Sequence, residues 1–245
     1  MEGSDISFVR IKAFRAIDEP ELCDRFIEGH QRVLTAVGVK QVTSASNEWK
    51  NNPASYVVLC LSQDEKKVLG GVRVHALGGT QELPMEEATI DMDSSVSEHI
   101  RKYAEFGTGE MCGLWNSMEV AGMGIGAVYL IRSAVAILPQ LKLKTLWVLC
   151  SPFSARIARN YSFIKYPHVG NEGTFYYPKI DLLATVVLVE DSLSLVNGKP
   201  DEVKRIHELR KNPTQKVDEE NRGRKINIDY ELIVPNIDTT VYFKN

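Results

Sequence analysis

Apolar residues recur along this chain with two periods. Alternation, or short β-branched and aromatic runs, predicts strands at residues 6–14, 55–62, 68–76, 110–116, 144–150, 174–177, 184–190 and 225–234. Spacings of three and four predict two amphipathic helices. The first opens at Asp18-Glu19-Pro20-Glu21, with Asp18 as cap, and aligns Leu22, Phe26, Val33 and Val37, flanked by Cys23, Ile27 and Leu34. The second covers residues 199–211 and turns Val203, Ile206 and Leu209 inward. Residues 127–138 are apolar nearly all round, which predicts a helix packed on more than one side and ended by Pro139. Shorter helices are expected at 96–106 and, after Pro152, at 154–160. The polar run 63–67 reads as a hairpin turn, the acidic residues 86–93 as a solvated segment, and 214–224 as polar and mobile.

Strands and helices therefore interleave, with hairpins towards both ends. This predicts one α/β domain over residues 1–245, with a mixed sheet of about seven strands flanked by helices. Its core would lie at about 55–190, and 191–245 would add a C-terminal helix and strand. The 29 basic and 32 acidic residues leave a net charge of −3 with no basic stripe, so nothing points to nucleic acid. Cys23, Cys60, Cys112 and Cys150 form no C-x-x-C pair and read as reduced, mostly buried thiols of a cytoplasmic protein. No leader pattern is recognised, and the longest apolar runs are too short to span a bilayer. His30 lies on the apolar stripe of the first helix and reads as a core or border histidine, not a metal ligand; no metal is expected.

The chemistry concentrates between Glu110 and Gly126. A buried strand runs into Gly122, Gly124 and Gly126, and an apolar helix follows at once. Glycines there let the backbone approach a ligand closely, and the N–H groups of a helix's first turn face an anion. The spacing is neither the G-x-G-x-x-G of a dinucleotide site nor a P-loop, and no acidic residue sits where a ribose would need one, which argues against a nucleotide-dependent oxidoreductase. Strand alternation would put Glu110, Cys112, Leu114 and Asn116 on one face. A carboxylate inside an apolar sheet has a raised pKa, which suits a general base.

The order of strand, Ala121-Gly122-Met123-Gly124-Ile125-Gly126, apolar helix, strand, Ser151-Pro152, arginine-bearing helix and Ser162-Phe163 resembles the acyl-CoA N-acyltransferase (GNAT) superfamily. Its motif is Arg/Gln-x-x-Gly-x-Gly/Ala. Gly124 and Gly126 match the small positions, while Ala121 stands where Arg or Gln is usual. The acidic insertion before the central strand and the C-terminal additions are also similar to acyl-homoserine-lactone synthases and N-acyl amino acid synthases.

The resemblance implies an N-acyltransferase moving an acyl group from acetyl-CoA or another acyl-CoA, or from an acyl carrier protein, to a primary amine by direct attack on the thioester. It implies main-chain contacts to the pantetheine arm from Leu114 and Asn116, and a pyrophosphate cradle of amides over Ala121, Gly122, Met123, Gly124, Ile125, Gly126 and Ala127. Ser151 stands where members often have Asn, and Arg156 is a nearby cation. Loss of the Arg or Gln at Ala121 implies weaker coenzyme binding or a compensating cation elsewhere. Glu110 takes the place of the base. The usual acidic Tyr aligns with Ala158, leaving Tyr161 as substitute. A homodimer is one expected assembly. The alternative is a non-catalytic acyl-CoA-binding or sensor module of the same fold.

Overall fold

The computed structural model describes residues 6–36, 38, 47–179 and 181–243. Val37, assigned above to the first helix, lies outside them. Ten strands form one mixed sheet: β1 (Phe8–Arg15), β2 (Ser55–Ser62), β3 (Val68–Ala76), β4 (Thr108–Asn116), β5 (Thr145–Cys150), β6 (Ile164–Lys165), β7 (Thr174–Tyr176), β8 (Leu183–Val189), β9 (Thr214–Asn221) and β10 (Arg224–Glu231). Their order across the sheet is β6-β8-β5-β4-β3-β2-β1-β10-β9, with β7 also pairing with β8. Among the described residues only β1–β10 and β4–β5 run parallel.

Helices cover both faces. On one, α1 (Pro20–Ala36) packs Phe26 and Cys23 against Val57, Leu59, Trp49 and Trp115. Beside it α2 (Pro84–Thr89) and α3 (Val96–Arg101) cover Trp147 and Leu188. The other face carries α4, which begins as a π-helical stretch at Ile125–Leu130 and continues as Ile131–Ile137, and α6 (Pro200–Lys211). The remaining helix, α5 (Pro152–Ala158), follows β5. The alternating residues of β2 fall into the two opposite cores, which is why that strand reads as a continuous apolar run. His30 is buried, edge-on to Phe26, and burial lowers its pKa to about 4, as a core histidine requires.

Two expectations are corrected. Residues 86–93 are not wholly solvated: 86–89 complete a helix with Glu86 and Thr89 buried, while 90–92 are exposed. Leu83-Pro84 starts α2, the Glu86 carboxylate accepts from the Leu83 N–H at 3.2 Å, and Glu86 is buried. Pro at the first helical position was the overlooked signal. Residues 214–224 form β9 and a hairpin turn into β10, pairing all eight residues from Thr214↔Glu231 to Asn221↔Arg224. Their polarity marks a sheet edge, where charged side chains discourage pairing with other chains.

Gly29 is where α1 meets β4. A methyl group there would overlap the Trp115 indole ring. Replacing a helical Gly by Ala normally gains about 1 kcal/mol, whereas forcing an atom into a packed ring costs about 1–3 kcal/mol or more. Gly29→Ala should therefore lower the thermal midpoint, and an unchanged or raised midpoint would show that α1 can lift off Trp115 at no cost.

Candidate active site

The sheet opens at its centre. β4 and β5 are paired only at Thr108↔Thr145, Gly109↔Leu146 and Glu110↔Trp147, although both strands continue. Beyond Glu110 they part, and β4 exposes an unpaired edge. On the β3 side the ladder jumps from Arg73↔Cys112 to Gly71↔Trp115, so Gly113 and Leu114 oppose one residue. This is a β-bulge, and Gly113 holds its φ of +59° without the penalty a side chain would bring. The bulge overturns the expected alternation. Glu110, Cys112 and Trp115 share the face of α1 and α2, whereas Leu114 packs into the core of α4. Asn116 is turned that way too: its Oδ1 would lie 2.5 Å from a methyl group at Gly126.

A crevice of about 270 Å³ lies at the parting, lined by Met85, Glu110, Cys112, Gly113, Leu149, Cys150, Ser151, Tyr177 and Leu183, among others. Among the described residues Glu110 is the one carboxylate of that lining. The side chain is 2 % exposed, and its Oε2 accepts from the Met85 N–H at 2.7 Å. Burial pushes its pKa up to about 8, against the opposing pull of that hydrogen bond and of Arg73. A carboxyl with this pKa exchanges its proton near neutrality, as a base for an amine must. Burial also lifts the Cys112 and Cys150 thiols to about 12, so neither supplies a thiolate nucleophile at neutral pH.

Across the start of α2 is a second, polar cavity of about 190 Å³. Glu48, Trp49, Arg73, His75, Gln81, Glu82, Pro84 and Glu87 line it. Arg73 is buried with its guanidinium 4.3 Å from the Trp49 ring centre, and β-pairing sets His75 opposite Glu110. Burial and the nearby Arg73 charge hold His75 neutral, and its Nε2 has no hydrogen-bond partner among the described residues. Three glutamates at the wall would attract a cation. None of these residues except Glu110 had a motif around it, so sequence reasoning could not assemble them.

The glycine loop stands at the far end of β4. Gly124 adopts φ +88°, and its carbonyl accepts from both Val128 (2.8 Å) and Tyr129 (3.1 Å), starting α4. The N–H groups of Gly122, Gly124, Ile125, Gly126 and Ala127 donate to no acceptor among the described residues. The Ala121 and Met123 N–H groups differ from the expected cradle, being used by the Met118 and Val120 carbonyls, each at 3.2 Å. Gly122 and Ala127 are exposed, whereas Gly124, Ile125 and Gly126 are buried. Over them lies the β9–β10 turn: Asn221 Nδ2 would be 2.9 Å from a methyl group at Gly124, and Arg224 Nη1 donates to the Ala121 carbonyl at 3.1 Å.

The other expected site residues divide. Ser151 lines the crevice and caps α5, its Oγ accepting from the Ser154 N–H at 3.1 Å. Arg156 is exposed beside the Phe153 ring, 5.8 Å away. Tyr161 is 1 % exposed, its hydroxyl donates to the Ala127 carbonyl at 3.2 Å, and it is not part of the crevice lining. Burial raises its pKa further, so the geometry gives Tyr161 a packing role, and Tyr177 is the phenol that faces Glu110's crevice. Trp147 is likewise core, its Nε1 donating to Thr108 at 3.0 Å. Among the described residues no three His, Cys, Asp or Glu side chains gather as a metal site, and no helix is long and apolar enough to cross a membrane.

No family model and no curated protein matches the chain by sequence. Solved structures do match in shape. An N-acyl amino acid synthase from uncultured soil microbes, FeeM, superposes with a TM-score of 0.56 at 10 % identity, covering 78 % of this chain and 94 % of its own. A CoA-dependent acyl-homoserine lactone synthase, BjaI, solved with SAM and isopentyl-CoA, gives 0.53 at 12 % identity, covering 84 % and 91 %. At such identities the likeness is one of architecture: with its parted β4 and β5, bulged β4 and glycine turn into α4, this chain has the fold of the acyl-CoA N-acyltransferases, the GNAT fold.

Proposed function

We propose that the protein is an N-acyltransferase that moves an acyl group from acyl-CoA to a primary amine. The observation that carries this is Glu110, a buried carboxyl with a pKa raised to about 8, placed where β4 and β5 separate. The unpaired edge of β4 beyond Glu110 offers main-chain groups to a pantetheine arm, and the loop amides face its pyrophosphate. The acyl group would occupy the crevice beside Leu149, Cys150 and Leu183. The amine would enter by the acidic cavity of Glu48, Glu82 and Glu87.

In the reaction the ammonium first loses a proton to Glu110. Glu110 passes that proton to solvent; the neutral amine nitrogen then attacks the thioester carbon, the C–N bond forms, Glu110 takes the second proton from that nitrogen, the C–S bond breaks, and the thiolate leaves and takes up a proton. Tyr177 is the candidate donor of that proton. Direct attack is favoured over an acyl-enzyme because the crevice thiols are held protonated. An N-acyl amino acid synthase among the similar structures makes amino acids the first acceptors to try. A carrier-protein donor and a cytoplasmic homodimer belong to the same proposal.

The test is thiol release from acetyl-, medium- and long-chain acyl-CoA over a panel of amines, amino acids included. Turnover that requires an amine supports the proposal. Binding of acyl-CoA with no turnover for any acceptor would favour the alternative, a non-catalytic sensor, which the core position of Tyr161 also supports.

A further inference from the structure

The chain lacks a cation where the coenzyme loop should have one, since Ala121 occupies that position. The fold returns a cation to the same place from 103 residues further along the sequence. β9 and β10 are joined by Arg222 and Gly223, both with positive φ (+52° and +78°), and Asn221 pairs with Arg224 to close the hairpin. This two-residue turn, with φ positive at both central positions, fixes the strands in one register. It presents Arg222, Arg224 and Lys225, all exposed, at the tip.

The tip is fastened to the loop at several points. Arg224 Nη1 donates to the Ala121 carbonyl, Asn221 Nδ2 to the Gly122 carbonyl at 3.5 Å, and the Arg224 guanidinium stands 3.7 Å from where a Gly122 methyl would be. Lower on β9, Glu219 is held by Arg132 of α4 at 2.7 Å, so hairpin and helix share one buried ion pair. Two of the acidic side chains nearby are already occupied, while Glu220 is exposed opposite Lys225. Glu219 has Arg132, and Glu119, just before the loop, has Lys67 at 2.7 Å. Arg224 itself pairs with no carboxylate among the described residues. It also keeps donors in its fork beyond the one that holds Ala121.

We propose that Arg224 is a phosphate-binding residue. Its guanidinium pairs with the pyrophosphate of the coenzyme as that group rests on the Gly122–Ala127 amides, so the C-terminal hairpin replaces the side chain missing at Ala121. This rests on the acyl-CoA reading above. A charged fork beside amides that donate to no protein acceptor among the described residues, with those of Gly122 and Ala127 on exposed residues, is an arrangement that recognises a dianion.

The experiment measures, by calorimetry, the affinities of coenzyme A, dephospho-coenzyme A and pantetheine for the wild-type chain and for Arg224→Ala and Arg224→Lys. Arg224→Ala should weaken coenzyme A and dephospho-coenzyme A equally, by about tenfold to a hundredfold. Pantetheine, which has no phosphate, should be unaffected, and Arg224→Lys should recover part of the loss. A penalty that disappears for dephospho-coenzyme A would move the contact to the 3′-phosphate and overturn the pyrophosphate assignment. An equal penalty on pantetheine would show that Arg224 only shapes the loop, which also overturns it. Wild-type and Arg224→Ala chains binding coenzyme A alike would refute the role while leaving the acyl-CoA reading intact. If the wild type binds none of the three, that reading has failed first.

Discussion

Glu110→Gln should slow acyl transfer about a hundredfold or more and, at the same time, make the protein more stable at neutral pH. Both effects follow from one buried carboxyl. Gln keeps the size and an oxygen to accept from the Met85 N–H but takes no proton, and removing a general base costs about 10²–10⁴ in rate. The stability effect has a definite sign. The folded pKa of about 8 lies above the ordinary value of 4.5, so between these limits the unfolded chain releases a proton that the folded chain keeps. Wild-type stability therefore falls as pH rises through that window and levels off above it. At pH 7 the deficit is on the order of 3 kcal/mol, which Gln would abolish. Unfolding midpoints from pH 4.5 to 8.5 for both proteins, with initial rates on a weakly basic amine whose own titration lies below the window, check the two effects together. Wild-type rates should rise with pH to a plateau above about 8, and the variant should show no such limb. A variant that is more stable yet equally active would make Glu110 a trapped structural carboxyl and remove it from the mechanism.

Arg132→Met should destabilise the fold by about 3–5 kcal/mol. Arg132 is buried on α4 and pairs with Glu202 of α6 at 2.9 Å and with Glu219 of β9 at 2.7 Å. Both carboxylates are largely shielded from water, so losing the cation leaves two like charges without a partner. A buried ion triad contributes little over well-packed apolar groups; breaking it from one side is what costs. The triple variant Arg132→Met, Glu202→Gln, Glu219→Gln should therefore regain most of the lost stability in denaturant unfolding. A single variant within about 0.5 kcal/mol of wild type would mean that water reaches the pair. Because this ion pair fastens the C-terminal hairpin beside the glycine loop, the single variant should also weaken any ligand held there.

The fold was legible where side-chain patterning alone decides structure. Strands β2 and β3, the turn between them and α6 follow from local periodicity and punctuation. So does the glycine entry to α4, because Gly124 must adopt a conformation other residues avoid. Reading failed where the deciding partner is distant in sequence. The polarity of β9 concealed an edge strand, since what orders it is pairing with β10 and the Glu219–Arg132 contact. The acidic run at 86–93 concealed α2, whose Met85 amide reaches Glu110. Alternation placed Leu114 and Asn116 beside Glu110, and the bulge at Gly113 sent them to the other face. The expected compensation for Ala121 had no local signal at all. The residue we propose for it, Arg224, is brought to Ala121 by the pairing of β10 with β1 and β9, far along the chain.

The account depends on a thioester lying between β4 and β5 with its carbonyl beside Glu110. Calorimetric titration with a non-cleavable acyl-CoA thioether tests this most directly, read against a variant in which Leu183, an exposed residue of the crevice lining, is replaced by Trp. Saturable one-to-one binding by the wild type, lost in Leu183→Trp while the thermal midpoint is kept, is the predicted result. No heat from any acyl-CoA analogue with a folded wild-type chain, or equal binding by the blocked variant, would contradict it.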